Sequence, residues 1–188
     1  MSRLTRERVA EIHTGTLRLV IEHGFDNVTM DQIAEATRSS KATLYRQWGG
    51  KVALFVEALR SSAPHDDELP DTGSLRGDLL ADIASKGGAD EAESELIAAL
   101  MHAMKQDAEL DEAVRTQIVE PGRDRIRTML QRAIDRGEIA ADNLALPFAD
   151  LLFISPFVLR PLLDGRSADP TYITDYYDGV LLPALGMR

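Results

Sequence analysis

Apolar residues recur near helical spacing in the first part of the chain, which predicts a helix between Thr5 and His23. The residues that set this spacing are Val9, Ile12, Leu19 and Val20. Gly24, followed by Phe25, predicts the end of this helix, because glycine readily takes the left-handed conformation found after a helix. The pattern therefore begins with a long helix and a sharp stop.

Two short helices are predicted next, each with a polar residue at its start. Thr29 precedes Gln32 by three positions, a capping-box pattern in which the hydroxyl and the amide satisfy exposed backbone donors. This predicts a helix over 30–36. Ser40 is a good N-cap for a third helix over 41–48, and the glycines that follow this helix end it.

The remaining pattern is also helical, so we predict an all-α protein of about nine helices. Apolar spacing and Gly or Pro breaks place the later helices at 51–60, 74–86, 91–106, 110–136, 144–163 and 171–185. The longest is expected to bend at Pro121 and Gly122. An aromatic content of 5% and abundant Ala, Leu, Arg and Glu agree with helix rather than sheet.

The two short helices form a helix-turn-helix from Thr29 to Trp48, a motif whose second helix enters the DNA major groove. At about 100° per residue, Leu44 and Trp48 share one face of the second helix. We expect them to pack inward with Ile33 and Ala34 of the first. The opposite face is left for a partner.

That outward face suits contact with base pairs. Arg46 can donate two hydrogen bonds to guanine, Thr43 offers a methyl and a hydroxyl group, and Ala42 permits close approach. Other candidate DNA contacts lie at flanks and helix starts, where donors reach phosphate: Thr29, Ser40, Lys41, Tyr45, Gln47 and Lys51. Each has an ordinary explanation as a cap, a solvated charge or a cover for the core, but together they favour a DNA partner.

The segment TMDQIAEATRSSKATLYRQWGGK, from Thr29 to Lys51, resembles the N-terminal domain of TetR-type regulators, as does EHGF at 22–25. The matching positions are Thr29, Ile33, Ala34, Thr43, Leu44, Tyr45, Trp48 and Lys51. The resemblance covers about residues 8–58. It implies that the third helix contacts the operator and that Thr29, Tyr45 and Lys51 contact its backbone.

Three departures from the family pattern stand out. Arg38 and Ser39 occupy the turn where the family usually has Gly-Val, and Gln47 replaces a common histidine. Gly15 lies where the first helix usually has alanine, a change expected to cost about 1 kcal/mol of helix propensity. Arg38 therefore leaves open how the turn is formed.

Charge divides the chain in the same place as the motif does. Residues 1–60 contain nine basic and seven acidic residues, a net charge of +2, whereas residues 61–188 contain 12 and 24, a net charge of −12. Such asymmetry lets one end approach phosphate. We accordingly predict a helix-turn-helix domain over 1–60, a linker over 61–73 and a helical effector-binding and dimerisation domain over 74–188.

The last two helices carry more apolar surface than a terminal hairpin could bury alone. The predicted interface residues are Leu151, Ile154, Phe157, Val158, Tyr176 and Val180. A second copy of the chain is the expected cover, since symmetric dimers are the commonest oligomers, and packing within one subunit is the alternative. The resemblance implies the same two-fold interface.

A small apolar or amphipathic effector is expected among the middle helices. The candidate contacts are Leu100, Met101, His102, Met104, Met129 and Phe153, although such residues at helical spacing are more often plain core. The predicted function is a DNA-binding regulator, a repressor released when the effector tilts these helices and changes recognition-helix spacing through the fourth helix.

Other classes of function are weighed against this one. The four histidines lack metal-ligand spacing, no phosphate-binding loop or nucleophile elbow occurs, and the chain has no cysteine, so we expect no enzyme, metal or cofactor. The apolar stretch 144–163 contains Asp150, Arg160 and three prolines, which favours a buried core or interface segment over a membrane span. We expect a cytoplasmic protein, because cysteine is absent and residues 1–8 carry three arginines without the apolar run of a secretory signal. A helical ligand- or protein-binding dimer without an operator is the alternative, and alanine at Arg46, Thr43 and Tyr45 would leave it unaffected.

Overall fold

The computed structural model describes residues 4–62, 69–86 and 91–187, and these residues form nine helices and no strand. The first six are α1 Arg6–His23, α2 Met30–Ala36, α3 Lys41–Trp48, α4 Lys51–Ser62, α5 Leu75–Lys86 and α6 Glu91–Gln106. The last three are α7 (108–135), α8 Ala149–Asp164 and α9 (170–184). The predicted all-α class is confirmed. The break predicted at Gly87 and Gly88 lies outside the described residues.

Helices α7 and α9 are each interrupted by one π-helical turn, at Arg115–Val119 and at Tyr177–Leu181. Each turn ends two residues before a proline, Pro121 and Pro183. A proline ring clashes with the carbonyl four residues earlier, and in both helices that carbonyl belongs to the wider π turn. The bend predicted at Pro121 and Gly122 stays a prediction; the structure shows a π-helical turn just before Pro121.

The helices group into two compact units, which divide the chain differently from the predicted boundaries. The first unit contains the described residues up to Ser62 and also residues 95–120. Its buried core joins side chains from both stretches: Ile12, Ile33, Leu44, Leu54, Phe55, Leu96, Ala103, Leu110 and Val114. Residues 95–120 thus pack with the N-terminal helices, because their apolar face completes that core.

The second unit contains residues 69–86, 91–94 and 121–187. Hydrogen bonds to two carboxylates fasten the start of α5. The buried Asp78 carboxylate accepts hydrogen bonds from the Thr72 amide at 2.6 Å and the Thr72 hydroxyl at 2.8 Å. Glu138 Oε2 accepts from the Leu75 amide at 2.8 Å, which satisfies an exposed donor of the first turn. Of the predicted linker over 61–73, Ser61 and Ser62 belong to α4, and residues 63–68 lie outside the described residues.

Helix α8 starts at Ala149, later than predicted. It follows a 3-10 turn at Leu146–Phe148 that contains Pro147. Pro156 cannot donate to the carbonyl of Leu152, and the Ser155 hydroxyl donates to that carbonyl instead, at 3.2 Å. The same hydroxyl lies 2.8 Å from the Tyr176 hydroxyl of α9. These bonds keep the proline-containing helix regular and attached to its neighbour.

One segment, Leu146–Asp164, is long and apolar enough by composition to cross a membrane, but only 22% of it is buried in the unit. Apart from Asp164 at its end, the segment has two charged side chains, Asp150 and Arg160, and both are paired. Asp150 accepts from Arg123 Nε at 2.6 Å, and Arg160 donates to Asp169 at 2.9 Å and lies 3.8 Å from the Tyr172 ring centroid. This pattern is typical of a helix that is covered on one face by its own unit.

Candidate nucleic-acid interface

Helix α1 supports the motif through an unusually close approach to the end of α2. A Cβ atom on Gly15 would lie 2.8 Å from the Cγ2 methyl of Thr37, closer than real Cβ contacts come. Thr37 is buried, and its hydroxyl donates to the Ile33 carbonyl at 2.7 Å. The departure at Gly15 thus has a physical reason: glycine makes room for the methyl group of Thr37.

The capping box predicted for α2 is present. The Thr29 hydroxyl accepts from the Gln32 amide at 3.3 Å, and the Gln32 side-chain oxygen accepts from the Thr29 amide at 2.8 Å. Met30, Ile33 and Ala34 are buried on the inner face. The exposed Thr29 therefore marks a fixed helix start at the surface of the unit.

The turn between α2 and α3 is closed by a Schellman motif. The Ser39 amide donates to the Ala34 carbonyl at 2.8 Å and the Arg38 amide to the Glu35 carbonyl at 3.1 Å. This motif requires a left-handed conformation at the residue that follows the C-cap Thr37. Arg38 is that residue and has φ +50°. The family glycine at this position would do so without strain, whereas another residue pays about 1–2 kcal/mol.

An arginine that the sequence analysis did not single out stabilises the same turn. One guanidinium nitrogen of Arg8, on α1, donates both to the Thr37 carbonyl and to the Ser39 hydroxyl, the latter at 2.9 Å. Its other nitrogen pairs with Glu11 at 2.6 Å. Nothing in the local sequence pattern indicates this role, because the partners lie about thirty positions away along the chain.

Helix α3 has the predicted inner and outer faces. Leu44 is completely buried and Trp48 is buried, which confirms their predicted inward packing with Ile33 and Ala34. Thr43 is half-buried. The exposed side chains on the outer face are Lys41, Ala42, Tyr45, Arg46 and Gln47. Ser40 caps the helix by accepting from the Thr43 amide at 3.1 Å.

Hydrogen bonds along α3 order part of the outer face before any partner arrives. The Thr43 hydroxyl lies 2.8 Å from the Ser40 hydroxyl. Arg46 Nη2 donates to the Thr43 hydroxyl at 3.5 Å. Lys41 is paired with Asp31 of α2 at 2.8 Å, and this hydrogen bond raises the pKa of Lys41. Lys41 therefore neutralises the carboxylate of Asp31 beside this face.

Lys51, at the start of α4, is held inside the unit. Its ammonium group donates to the Phe25 carbonyl at 2.8 Å and lies 4.1 Å from the centroid of the Phe25 ring. Burial lowers the pKa of Lys51. Its side chain thus fastens α4 to the 3-10 turn at Phe25–Asn27, and the first backbone amides of α4, like those of any helix, have no carbonyl partner within the helix.

The second unit contains a cavity of about 220 Å³. Helices α5 and α7 contribute Asp82, Ile83, Arg125, Ile126 and Met129, and helices α8 and α9 contribute Phe153, Ile154, Phe157, Ile173 and Tyr177. The six effector candidates do not come together there. Met129 and Phe153 line the cavity, whereas Leu100 and Met104 pack against the core of the first unit and Met101 and His102 are exposed.

Helix α8 also presents a row of exposed apolar side chains. Among the predicted interface residues, Leu151 and Ile154 are 62% and 52% exposed and Val180 is 44% exposed, while Phe157, Val158 and Tyr176 are half-buried. Sequence reasoning missed three exposed leucines, Leu159, Leu162 and Leu163. Their helical spacing continues the apolar stripe of Leu151 toward the end of α8, and this spacing can be seen in the sequence alone.

Comparison with known proteins agrees with this arrangement. The profile of bacterial regulatory proteins of the tetR family matches residues 12–58, and that of the tetracyclin repressor-like C-terminal domain matches residues 69–180. A DNA-binding transcriptional repressor TetR of Mycobacteroides abscessus is 35% identical over 180 residues, covering 93% of this chain and 92% of its own length. An HTH-type transcriptional regulator of Mycobacterium tuberculosis is 33% identical over 184 residues, covering 95% and 88%.

A solved structure, Salmonella enterica GusR, shares the fold with a TM-score of 0.67 at 19% identity, covering 98% of this chain and 95% of its own. Together with the exposed face of α3, the two family profiles and these relatives show that the chain is a DNA-binding transcriptional regulator of the helix-turn-helix class. This chain belongs to the TetR family. Members of the family bind DNA operators and dimerise, and its relatives are transcriptional regulators rather than enzymes.

Proposed function

We propose that the chain is a cytoplasmic repressor that binds its operator as a homodimer and is released by a small molecule. The observation that carries the DNA-binding part is the division of α3, with Leu44 fully buried and Ala42 and Arg46 exposed. Two such helices, about 34 Å apart in a dimer, fit successive major grooves. Arg46, Ala42 and Thr43 are the proposed base contacts, and Gln47 flanks them.

The phosphate contacts are assigned to helix starts. Thr29 and Ser40 already fix the first turns of α2 and α3, so their hydroxyls and the adjacent amides are ordered for an anion. Tyr45, 45% exposed, and Lys41 flank the same face. Lys51 acts through the backbone at the start of α4, because its ammonium group is bound to Phe25.

The proposed dimer interface is the exposed stripe on α8 together with Val180 of α9. Leu151, Ile154 and Leu162 are each more than half exposed, and a stripe of this kind on one helix marks a surface for association. A second copy of the chain buries it when α8 and α9 of both protomers form a four-helix interface.

The cavity of the second unit is the proposed effector site. Ile154 belongs both to its wall and to the exposed stripe of α8, so a bound molecule can shift the helix that sets the dimer geometry. A change in the separation of the two α3 helices then weakens the operator complex. Coupling of about 1–3 kcal/mol, or about 5- to 150-fold in affinity, is typical.

The test begins with selection of binding sites from random double-stranded DNA by the purified protein. Binding to the selected site is then measured by fluorescence anisotropy across a salt series. Arg46→Ala should weaken the complex by about 1–3 kcal/mol, roughly 5- to 150-fold, because a bidentate guanine contact is lost. Arg60→Ala, an exposed arginine at the end of α4, is the matched control and should retain affinity.

The proposal would be supported by recovery of a palindromic site that the protein binds with a steep salt dependence. Arg46→Ala, but not Arg60→Ala, should weaken binding to that site. Equal, weak binding to all sequences, indifferent to Arg46, would overturn the assignment of α3 as the base-contacting helix.

A further inference from the structure

The wall of the cavity in the second unit is aromatic on one side. The rings of Phe153 and Tyr177 meet edge to face, with centroids 5.9 Å apart and planes at 64°. Phe157, one turn further along α8, adds a third ring to the lining. Aromatic rings prefer offset or edge contacts with other rings, so this side favours a planar ligand ring over a branched aliphatic one.

The charged part of the wall is balanced. Arg125 Nη2 lies 3.4 Å from Asp82 Oδ1, and the two side chains are 19% and 18% exposed. Burial raises the pKa of Tyr177, so its hydroxyl stays protonated and neutral at physiological pH. A ligand of either charge would enter an apolar cavity beside one repelling partner, and burying an uncompensated charge is costly.

The volume limits the size of the ligand. An engineered protein cavity of about 150 Å³ holds benzene, and drug-sized ligands occupy pockets of about 300–1,000 Å³. The cavity of about 220 Å³ falls between these values. It therefore has room for one ring or two fused rings, with little space for further substituents.

We propose that this cavity binds an uncharged aromatic molecule of one or two fused rings that carries a single hydroxyl or carbonyl group. The rings pack against Phe153, Phe157 and Tyr177, and the polar group meets the Asp82–Arg125 pair. This inference rests on the proposed function, which assigns the same cavity to an effector.

Three probes of equal ring size test the charge preference: 2-naphthol, 2-naphthoate and 2-naphthylmethylamine. Binding to the full chain at pH 7 is measured by isothermal titration calorimetry. The neutral naphthol should bind at least about tenfold more tightly than either ion, because only the ions leave a buried charge uncompensated. Stronger binding of an ion to the wild-type protein, or binding of none of the three, would overturn the proposal.

Two matched variants show whether the Asp82–Arg125 pair sets this preference. Asp82→Asn removes one negative charge from the wall and should raise affinity for naphthoate about tenfold or more. Arg125→Gln removes one positive charge from the wall and should do the same for the amine. Identical selectivity in the wild type and both variants would place the probes elsewhere and contradict the assignment.

A third variant guards against loss of folding in the charge variants. Phe157→Ala removes a half-buried ring from the wall and should admit a tricyclic phenol, 9-phenanthrol, at least about tenfold more tightly than the wild type does. Leu144→Ala, at an 88% exposed position outside the cavity, is the control and should leave this affinity unchanged. An equal gain in both variants would refute a fit set by the cavity wall.

Operator binding is measured in the same samples, so that the two proposals can fail separately. Naphthol bound in the cavity without any change in operator affinity supports the ligand class and contradicts effector release. Release of the operator only by the charged probes supports effector control and contradicts the ligand class.

Discussion

The contact between Gly15 and Thr37 makes a prediction that opposes helix propensity. Alanine is better than glycine inside a helix by about 1 kcal/mol, so Gly15→Ala should stabilise α1 on propensity alone. The new Cβ would lie 2.8 Å from Thr37 Cγ2, and forcing extra carbon into a packed site costs about 1–3 kcal/mol. We therefore expect Gly15→Ala to lower the free energy of unfolding by up to about 2 kcal/mol.

Thr37→Ser provides the matching change. It removes the Cγ2 methyl but keeps the hydroxyl that donates to the Ile33 carbonyl, and it should cost about 1 kcal/mol for the lost methyl contact. The remaining near atom, Thr37 Cβ, lies 4.0 Å from the new Cβ, an ordinary contact. In the Thr37→Ser background Gly15→Ala should then stabilise the protein by about 1 kcal/mol, which gives a coupling energy of about 1–3 kcal/mol.

Urea unfolding gives these energies through the fluorescence of Trp48, the only tryptophan of the chain and a buried residue of α3. All four proteins are compared at one protomer concentration, because association would add to the apparent stability. If Gly15→Ala stabilises both backgrounds equally, the coupling is zero and the steric explanation for glycine at this position is refuted.

Three further predictions concern other parts of the chain. Arg38→Gly should stabilise the first unit by up to about 1 kcal/mol in the same urea assay, because glycine takes the left-handed φ without strain, and a loss of stability would contradict this account of the turn. Leu151→Glu should shift the protein from dimer to monomer in sedimentation velocity, since a charge would be buried at the proposed interface, whereas an unchanged dimer would exclude that face. Burial lowers the pKa of His13, so as pH falls below about 6.5 the unfolded chain binds the proton before the folded protein does. The free energy of unfolding should therefore decrease from about pH 6.5 down to the folded-state pKa, and His13→Phe should remove this part of the pH dependence. An identical pH profile for the variant would disprove the attribution to His13.

The helix-turn-helix could be predicted closely from the sequence because its determinants are local. The caps at Thr29 and Ser40 bond to atoms three positions away, and the stop at Gly24 depends on one positive φ. The inward placement of Leu44 and Trp48 follows from the helical period alone. Each of these features is decided within one or two turns of helix.

The cavity could not be predicted in the same way. Helical spacing shows which face of α6 is apolar but not which helices cover that face. Leu100 and Met104 complete the core of the first unit, whereas Met129 and Phe153, chosen on the same grounds, line the cavity of the second. The boundary between the units falls inside α6 and α7; Pro121 lies at the boundary in α7, but no break in the sequence pattern marks the one in α6.

The departures from the family pattern are better understood as pairs of residues than as single substitutions. Gly15 costs α1 helix propensity, but it admits the methyl group of Thr37, whose hydroxyl and carbonyl both hold the end of α2. Arg38 strains the turn, yet Arg8 donates to the carbonyl on one side of it and to the Ser39 hydroxyl on the other.

Because the contacts of Gly15 and Arg8 join α1 to the α2–α3 turn, we expect them to act on the orientation of α3 more than on its formation. If so, Arg8→Gln should weaken operator binding more than it lowers the helix content of the protein. Helix content is measured by circular dichroism, and the fraction of protein that binds the operator is measured in the same sample. If Arg8→Gln lowers both by the same fraction, Arg8 only stabilises the fold.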